Sequence, residues 1–268
     1  MNKIKNCSDV ELLEFAKTIQ SKSPLILFEQ DLTQNDFVNV MKRFGKCEQA
    51  TMWMNPKEYP EIFIVTPKRD DQNNSLGMFG DYELGWHIDG DTRTKVKEIL
   101  LGLYCEISCE DTTLSMINTT SVFNDFTETE KDYYRNIKCL YKYKENTSLK
   151  LPKDSPELKI MDKHQGEIKP IVGIHPHTNT EYFYCSFNSI SKVWYNEQSI
   201  DTNEFIDDLY KKVVRSKYIT HHIMHEGDLV LMDQLTTLHR RTKVTNPNRT
   251  LWRIASDYDN VMSLSNNF

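Results

Sequence analysis

Apolar residues at helical spacing predict three amphipathic helices along this chain. The first covers residues 8–20 and begins at Ser8, which is followed three residues later by a glutamate, so that the two residues can cap each other's backbone N–H groups. The second covers residues 33–44, with Thr33 as its N-terminal cap, and the third covers residues 202–215. Each predicted helix has one apolar face, which should pack against a core.

Short apolar runs between polar loops predict strands in the rest of the sequence. Examples are residues 62–65, 99–104 and 230–232. Short strands framed by helices predict an α+β fold, mainly β, with a double-stranded β-helix (jelly-roll) core flanked by helices. We expect one domain over residues 1–268, with an insertion or lid at about residues 128–166, where the sequence is polar and rich in lysine.

The composition narrows the class of protein. A net charge of −6 and a pI near 5.8, with lysines scattered among acidic residues, predict no basic surface for nucleic acid. No apolar run approaches the roughly 18 residues of a membrane-spanning helix. The first residues do not resemble a signal peptide, so a cytoplasmic protein is expected. The six cysteines include no Cys-x-x-Cys pair and are expected to be reduced thiols.

Candidate chemistry begins at His87 and Asp89. Alternate residues of a strand project from the same face, so these two side chains can reach one metal ion while Trp86 and Ile88 pack on the other face. The triplet alone carries little weight, because a chain with 8 histidines and 39 acidic residues contains such triplets by chance. Taken by itself, His87 is better explained as a hydrogen-bonded structural histidine.

A second set of candidates lies near the C-terminal end of the sequence. His239 follows an apolar strand, at a point where the chain could fold back onto His87 and Asp89. Two histidines and one carboxylate are the ligand set of a non-haem Fe(II) site. Arg249 and Arg253 come next, and a guanidinium can bind a carboxylate through two parallel hydrogen bonds. Taken alone, His239 is an ordinary strand end and the two arginines are surface charges.

The densest group of histidines, His221, His222 and His225, raises the alternative of a zinc site. His221 and His225 have the i, i+4 spacing that would let a helix present both to zinc. The residues around them favour a strand, on which the two side chains would lie too far apart to bind one ion easily. Zinc is therefore not expected there.

Short motifs occur in a fixed order along most of the chain. They are Leu25-Ile26-Leu27-Phe28, Asp31-Leu32-Thr33, Arg43-Phe44-Gly45, Glu83-Leu84-Gly85-Trp86-His87-Ile88-Asp89, Glu110-Asp111-Thr112-Thr113-Leu114, Lys169-Pro170-Ile171-Val172, His175-Pro176, Thr178-Asn179, Tyr182-Phe183-Tyr184, Gly227-Asp228-Leu229-Val230 and Leu238-His239-Arg240. In this order they resemble the taurine/2,4-dichlorophenoxyacetate dioxygenase family, Fe(II)/2-oxoglutarate-dependent oxygenases of the clavaminate-synthase-like superfamily. The sequence departs from the family at Met232, at Cys109-Glu110 and at Lys169, where tryptophan, two glycines and a histidine are usual. The primary substrate is therefore not carried over.

The resemblance implies a metal site and a cosubstrate site. Fe(II) would be bound by His87, Asp89 and His239. The distal carboxylate of 2-oxoglutarate, the cosubstrate consumed with O2, would be bound by Thr112 and Arg249.

The resemblance also implies the reaction, which is hydroxylation of a C–H bond of a small organic or amino acid with release of succinate and CO2. Arg253 matches an arginine that binds an anionic group of the primary substrate in relatives, so an anionic substrate is expected. An exchange of roles between Arg249 and Arg253 is the alternative. Because Asp89 fills the third ligand position, chloride would find no place on the metal and halogenation is not expected. Two alternatives from other classes are a non-catalytic jelly-roll binding protein and a zinc-type hydrolase that uses the same three ligands.

Overall fold

Fifteen β-strands and six α-helices make up the part of the protein that the computed structural model describes, which is residues 3–49, 55–93, 99–142 and 166–264. The helices are α1 Asp9–Lys22, α2 Gln34–Phe44, α3 Thr119–Asn124, α4 Glu128–Arg135, α5 Thr202–Val213 and α6 Asp259–Ser263, with 3-10 turns at Ile4–Asn6 and Ser216–Tyr218. The strands are β1 Leu25–Leu27, β2 Phe63–Val65, β3 Leu84–His87, β4 Leu100–Ile107, β5 Thr113–Asn118, β6 Ile137–Tyr141, β7 Glu167–Pro170, β8 Val172–Ile174, β9 Glu181–Phe183, β10 Ile190–Tyr195, β11 Gln198–Ile200, β12 Ile219–Ile223, β13 Leu229–Asp233, β14 Thr237–Arg241 and β15 Thr250–Ser256.

Two antiparallel sheets enclose the centre of the molecule. The five-stranded sheet has the order β1-β13-β4-β15-β2, and the four-stranded sheet has the order β12-β5-β14-β3. Every strand pair within them is antiparallel. Strands that are distant in sequence are neighbours in both sheets, as in a jelly roll, and the predicted α+β, mainly β architecture with a double-stranded β-helix core is confirmed.

Alternation of side chains along the strands separates the interior of this barrel from an outer layer. On β4, Leu101, Leu103 and Cys105 belong to the cluster of buried residues between the two sheets. Leu100 and Tyr104 belong to an outer cluster, where the five-stranded sheet packs against α1, α2 and α6. The strand therefore has apolar side chains on both faces, as expected of a strand that is covered on both sides.

Three of the six helices, α1, α2 and α5, begin where the sequence predicts. Ser8 caps α1 and Thr33 caps α2, each in a capping box with the acidic residue three positions later. Helix α5 begins at Thr202, with Asp201 as its cap, and ends at Val213, two residues before the predicted end. The capping side chains accept hydrogen bonds from backbone N–H groups that the first helical turn leaves free.

A third sheet, with the order β11-β10-β6-β7, packs with α3, α4 and α5 against the outer face of the four-stranded sheet. Its buried side chains form one cluster with Trp86, Ile117 and Leu238 of that sheet. The predicted insertion at about residues 128–166 begins in this layer with α4 and β6, and its residues 143–165 lie outside the described ranges. A single domain with that insertion stays a prediction.

Two further findings concern the helices and the cysteines. No helix within the described ranges is both long and apolar enough to cross a membrane. All six cysteines are free thiols with buried side chains, in agreement with the expectation of reduced thiols.

Candidate active site

The two candidate histidines lie opposite each other on neighbouring strands. His87 is the last residue of β3, His239 is the central residue of β14, and the antiparallel register pairs them directly. Their ring centroids are 4.2 Å apart. Trp86 and Leu238, which precede them, pack in the cluster under the third sheet, so alternation turns both imidazoles into the barrel.

Asp89 completes the group from a turn just after β3. The strand ends at His87, so the extended conformation predicted through Asp89 is wrong; the chain turns at Gly90, whose φ of 71° is readily adopted only by glycine. The carboxylate still lies beside the histidines. Asp89 Oδ1 is 3.5 Å from His87 Nε2 and 3.9 Å from His239 Nε2.

Both imidazoles are held in the tautomer that a metal requires. His87 Nδ1 lies 2.7 Å from the Gly85 carbonyl oxygen, and His239 Nδ1 lies 3.3 Å from the Thr237 carbonyl oxygen. A carbonyl oxygen can only accept, so each Nδ1 carries a proton and donates it, and Nε2 is the nitrogen left to face a metal ion. Metal-binding histidines are commonly oriented by a backbone carbonyl in this way.

The donor set suits a ferrous ion. The ligand atoms of His87, Asp89 and His239 lie within 4.8 Å of one another, and no other group of this kind occurs among the residues that the structure describes. Adjacent ligand atoms on an ion with bonds of about 2.1 Å stand about 3 Å apart. The distances of 3.5 and 3.9 Å from Asp89 Oδ1 to the two Nε2 atoms are slightly longer. Two imidazoles and one carboxylate are the facial triad of non-haem Fe(II) proteins. The residues present therefore fit Fe(II).

The electrostatic environment favours an ionised carboxylate. Burial opposes ionisation of Asp89, but Arg253 and the two imidazoles outweigh it and hold the pKa of the carboxyl well below its usual range. Burial, and then His87, lower the pKa of His239 to about 4. Burial also acts to lower the pKa of His87, but Asp89 outweighs it and raises that pKa. At neutral pH the ionised carboxylate of Asp89 therefore faces a neutral His239.

Arg253, the predicted substrate residue, contacts the carboxylate directly. Trp252 packs in the outer cluster and Leu251 in the interior cluster, so alternation along β15 turns Arg253 into the barrel. Arg253 Nε and Nη2 donate to Asp89 Oδ2 over 3.1 and 2.9 Å. The structure thus places Arg253 in the site, with a partner from the protein itself that the sequence did not indicate.

Arg249 and Thr112, the predicted cosubstrate residues, are brought together around Cys109. Only 4% of Arg249 and 3% of Thr112 are exposed. The Thr112 backbone N–H donates to the Cys109 carbonyl at 3.0 Å, and the Cys109 thiol accepts the backbone N–H of Asn246, three residues before Arg249. Arg249 Nη1 is buried and has no hydrogen-bond partner in the described part of the chain. A buried N–H without an acceptor is costly, so this position fits a carboxylate ligand.

Arg241 is a buried cation that the sequence analysis missed. It lies two residues after His239 on β14, shares that strand's interior face, and is 4% exposed. Its guanidinium donates to the carbonyl oxygens of Phe79 and Gly80, at 2.9 and 3.0 Å, and to a third carbonyl of the same loop. Burial, and then the nearby Arg249, lower its pKa to about 9. The i, i+2 spacing from His239 was the signal available in the sequence.

The histidines of the alternative zinc site have other partners. His221 and His222 lie on β12, a strand as predicted, and His225 follows it. His221 Nδ1 is 2.9 Å from Ser115 Oγ, and His222 Nε2 is 3.0 Å from Asp228 Oδ2. As far as the structure describes the chain, these histidines do not form a metal-binding group.

His175 stabilises the turn that leads to β14. Its Nδ1 accepts the backbone N–H groups of His177 and Thr178, so Nε2 carries the proton and donates to Asp233 Oδ2 at 3.0 Å. The other oxygen of Asp233 accepts two N–H groups of the following turn. Both side chains of this pair are fully buried. They therefore fix the turn from which β14 presents His239.

Comparison with known sequences agrees with this site. A family model described as "Taurine catabolism dioxygenase TauD, TfdA family" matches residues 3–255. Pentalenolactone F synthase of Streptomyces arenae is 24% identical over 239 residues, which cover 84% of this chain and 78% of that protein.

Solved structures share the fold. A taurine dioxygenase from Burkholderia xenovorans superposes with a TM-score of 0.72 at 13% identity, over 96% of this chain and 83% of that one. AAD-2, solved in complex with Mn(II) and N-oxalylglycine, superposes with a TM-score of 0.73 at 16% identity, over 96% of this chain and 91% of that one. Because the family match extends over nearly all of the sequence, this chain belongs to the taurine catabolism dioxygenase TauD, TfdA family and is an Fe(II)/2-oxoglutarate-dependent dioxygenase.

Proposed function

We propose that His87, Asp89 and His239 bind Fe(II), and that the protein hydroxylates a C–H bond of a small organic or amino acid. The observation that carries the proposal is the placement of three ligand atoms within 4.8 Å, with both imidazoles presenting Nε2. When bound, iron and 2-oxoglutarate would supply the O2-dependent oxidation of the substrate, with release of succinate and CO2. The chain itself holds these ligands, orients the substrate and excludes water.

We assign the distal carboxylate of 2-oxoglutarate to Arg249 and Thr112. Arg249 offers a buried N–H without a partner in the described ranges, and a guanidinium–carboxylate pair is stronger than a neutral hydrogen bond. The Thr112 hydroxyl donates to the Lys243 carbonyl at 3.2 Å and can rotate towards the same carboxylate. The exchange of roles with Arg253 is disfavoured, because Nε and Nη2 of Arg253 already donate to Asp89 and only Nη1 is left, too little for two parallel hydrogen bonds to a carboxylate.

We propose that an anionic group of the primary substrate meets Arg253. Nε and Nη2 of this side chain bind Asp89, whereas Nη1 makes no hydrogen bond to any residue described by the structure. The Phe63 ring centroid lies 5.7 Å from the guanidinium carbon, and the Phe79 ring lies 6.1 Å from that of Phe63. Arg253, Phe63 and Phe79 together suit a small molecule with an acid group at Arg253 Nη1 and an apolar part against the two rings.

Two further parts of the proposal rest on simpler observations. Hydroxylation is favoured over halogenation because Asp89 supplies the carboxylate ligand whose place chloride would need. A cytoplasmic location is supported by the six free thiols, since reducing compartments keep cysteines unpaired. The non-catalytic binding protein and the zinc-type hydrolase are not favoured, because the family match indicates an oxygenase.

An anaerobic titration tests the proposed site. Fe(II) and then 2-oxoglutarate are added to the apoprotein, and we expect a visible metal-to-ligand charge-transfer band that saturates at one equivalent. His239→Ala should bind Fe(II) weakly and give no band, because only two protein ligands remain. His221→Ala, on β12 outside the site, is the matched control and should behave as the wild type. Stoichiometric iron binding in His239→Ala, or iron binding without the band in the wild type, would contradict the assignment.

A further inference from the structure

Arg253 engages one oxygen of Asp89 and leaves the other to the histidines. Its contacts from Nε, at 3.1 Å, and from Nη2, at 2.9 Å, both end on Oδ2. Oδ1 is the oxygen that lies 3.5 Å from His87 Nε2 and 3.9 Å from His239 Nε2. The two oxygens of this carboxylate therefore have different neighbours.

The position of the guanidinium decides which oxygen of Asp89 a metal ion can approach. Each oxygen of an ionised carboxylate has two lone pairs that can accept hydrogen bonds. The cationic guanidinium occupies one side of Oδ2 and repels a metal cation there, so a metal ion placed beside the two imidazoles is bound through Oδ1. The Arg253 and Asp89 side chains are only 16% and 17% exposed, so water replaces these bonds poorly and the guanidinium keeps the carboxylate in one orientation.

We propose that Arg253 is a positioning residue for the metal: it makes Asp89 a one-oxygen ligand, which strengthens metal binding and keeps a coordination position open. This role rests on the proposed iron site and adds to it a task that does not involve the substrate. A carboxylate bound through both oxygens would occupy a further position on the ion, and one position fewer would remain for 2-oxoglutarate, O2 or water.

The two edges of the guanidinium separate the two roles of Arg253. The edge formed by Nε and Nη2 faces Asp89, and Nη1 is left for an anionic substrate. The Phe63 ring, 5.7 Å from the guanidinium carbon, covers one face of the group. Loss of a substrate contact alone would leave metal binding unchanged. Release of Oδ2, in contrast, would change metal binding before any substrate is added.

The test measures metal binding in the absence of substrate. Arg253→Gln and Arg253→Lys are compared with the wild type and with Arg240→Gln, whose side chain lies on the outer face of β14 over the Trp86 ring. Competition with a chelator under anaerobic conditions gives the Fe(II) Kd. The absorption spectrum of the Co(II)-substituted protein reports the coordination number of the metal, which a purely structural role would not alter.

We expect the Fe(II) Kd to rise about 10- to 100-fold in Arg253→Gln, the range found when a residue that orients a metal ligand is replaced. The Co(II) spectrum should change in the same variant. Arg253→Lys should show a smaller rise, because lysine keeps the charge but not the fixed pair of donors. Arg240→Gln should match the wild type in both measurements.

An Fe(II) Kd and a Co(II) spectrum in Arg253→Gln that match those of the control would overturn the proposal and leave Arg253 as a substrate contact only. If Arg253→Gln does not fold, as judged by circular dichroism, Arg253→Lys is read by the same criteria. Failure of the proposed function is a separate result. It would appear as a wild-type protein that binds Fe(II) but never forms the 2-oxoglutarate band, whatever the metal affinity of the variants.

Discussion

Arg249→Met should remove tight 2-oxoglutarate binding without weakening the fold. The side chain is 4% exposed, its Nη1 has no hydrogen-bond partner within the described ranges, and burial lowers its pKa. A buried charge without a counter-ion destabilises a protein until a ligand supplies one. Methionine keeps a long apolar side chain at this position and removes the charge.

The size of the effect follows from the hydrogen bonds that a carboxylate would gain. One hydrogen bond to a charged group contributes about 1.5 to 3 kcal/mol. Since about 1.4 kcal/mol corresponds to a tenfold change in Kd, the loss of a single such bond predicts a rise of about 10- to 100-fold in the Kd of 2-oxoglutarate. Arg249→Lys retains the charge without the planar pair of donors and should give an intermediate Kd.

The assay compares two ligands on two proteins. 2-Oxoglutarate and 2-oxobutyrate share the keto acid that would bind iron, but only 2-oxoglutarate has the distal carboxylate. The wild type should prefer 2-oxoglutarate by the factor given above, and Arg249→Met should bind both ligands with the same weak Kd. A ligand present at 100 times its Kd stabilises a protein by about 2.7 kcal/mol, so the preference can also be read from thermal unfolding.

Two results would refute this reasoning. A preference for 2-oxoglutarate that survives in Arg249→Met would place the distal carboxylate elsewhere, with Arg241 as the next candidate. An unfolding midpoint of ligand-free Arg249→Met well below that of the wild type would contradict the premise that the free protein buries an unpaired charge. Arg240→Met, on the outer face of β14, controls for the general loss of a positive charge.

The remaining predictions concern the stability of the elements that carry the site. Asp233→Ala should destabilise the protein by about 3 kcal/mol or more, because the buried His175 and two N–H groups of the following turn lose their acceptor. Urea unfolding measures the loss, with the exposed Asp71→Ala as the control. Equal stability of the two variants would contradict the role of the His175–Asp233 pair. Metal-free protein should lose stability as the pH falls from 6.5 towards about 4, because burial lowers the pKa of His239 from its ordinary value of 6.5 to about 4 and only the unfolded chain takes up a proton in that window. His239→Gln should flatten this part of the stability profile, and an unchanged slope would speak against a neutral His239.

Signals within a few residues of each other were sufficient to predict α1, α2 and α5, but not the shorter α3, α4 and α6, and sufficient for half of the metal site. Ser8 and Thr33 could be identified as caps because each capping box lies within one helical turn. His87 and Asp89 are two residues apart, so their proximity could be predicted even though β3 ends at His87. The direct pairing of His87 with His239 could not be predicted from such local signals, because it depends on the register of two strands that are far apart in the sequence.

Contacts between distant residues could not be predicted from one sequence. Arg253 and Asp89 are separated by 164 residues, and neither local sequence marks the other as its partner. An anionic substrate was expected as the partner of Arg253, yet Asp89 already supplies an anion to this side chain from within the protein. Arg241 was missed for a similar reason, because its acceptor on Phe79 lies 162 residues earlier.

The distribution of charge inside the barrel gives a separate reason to expect an anionic substrate. Arg241 and Arg249 make no hydrogen bond to a carboxylate in the described ranges, and Arg253 shares the carboxylate of Asp89 with the metal site. Fe(II) is a dication and 2-oxoglutarate a dianion, so their binding together leaves the surplus of positive charge in place. In a poorly solvated interior such a surplus attracts anions strongly. A substrate should therefore bind more tightly than its neutral amide even in Arg253→Gln, and equal affinities there would assign the whole preference to Arg253.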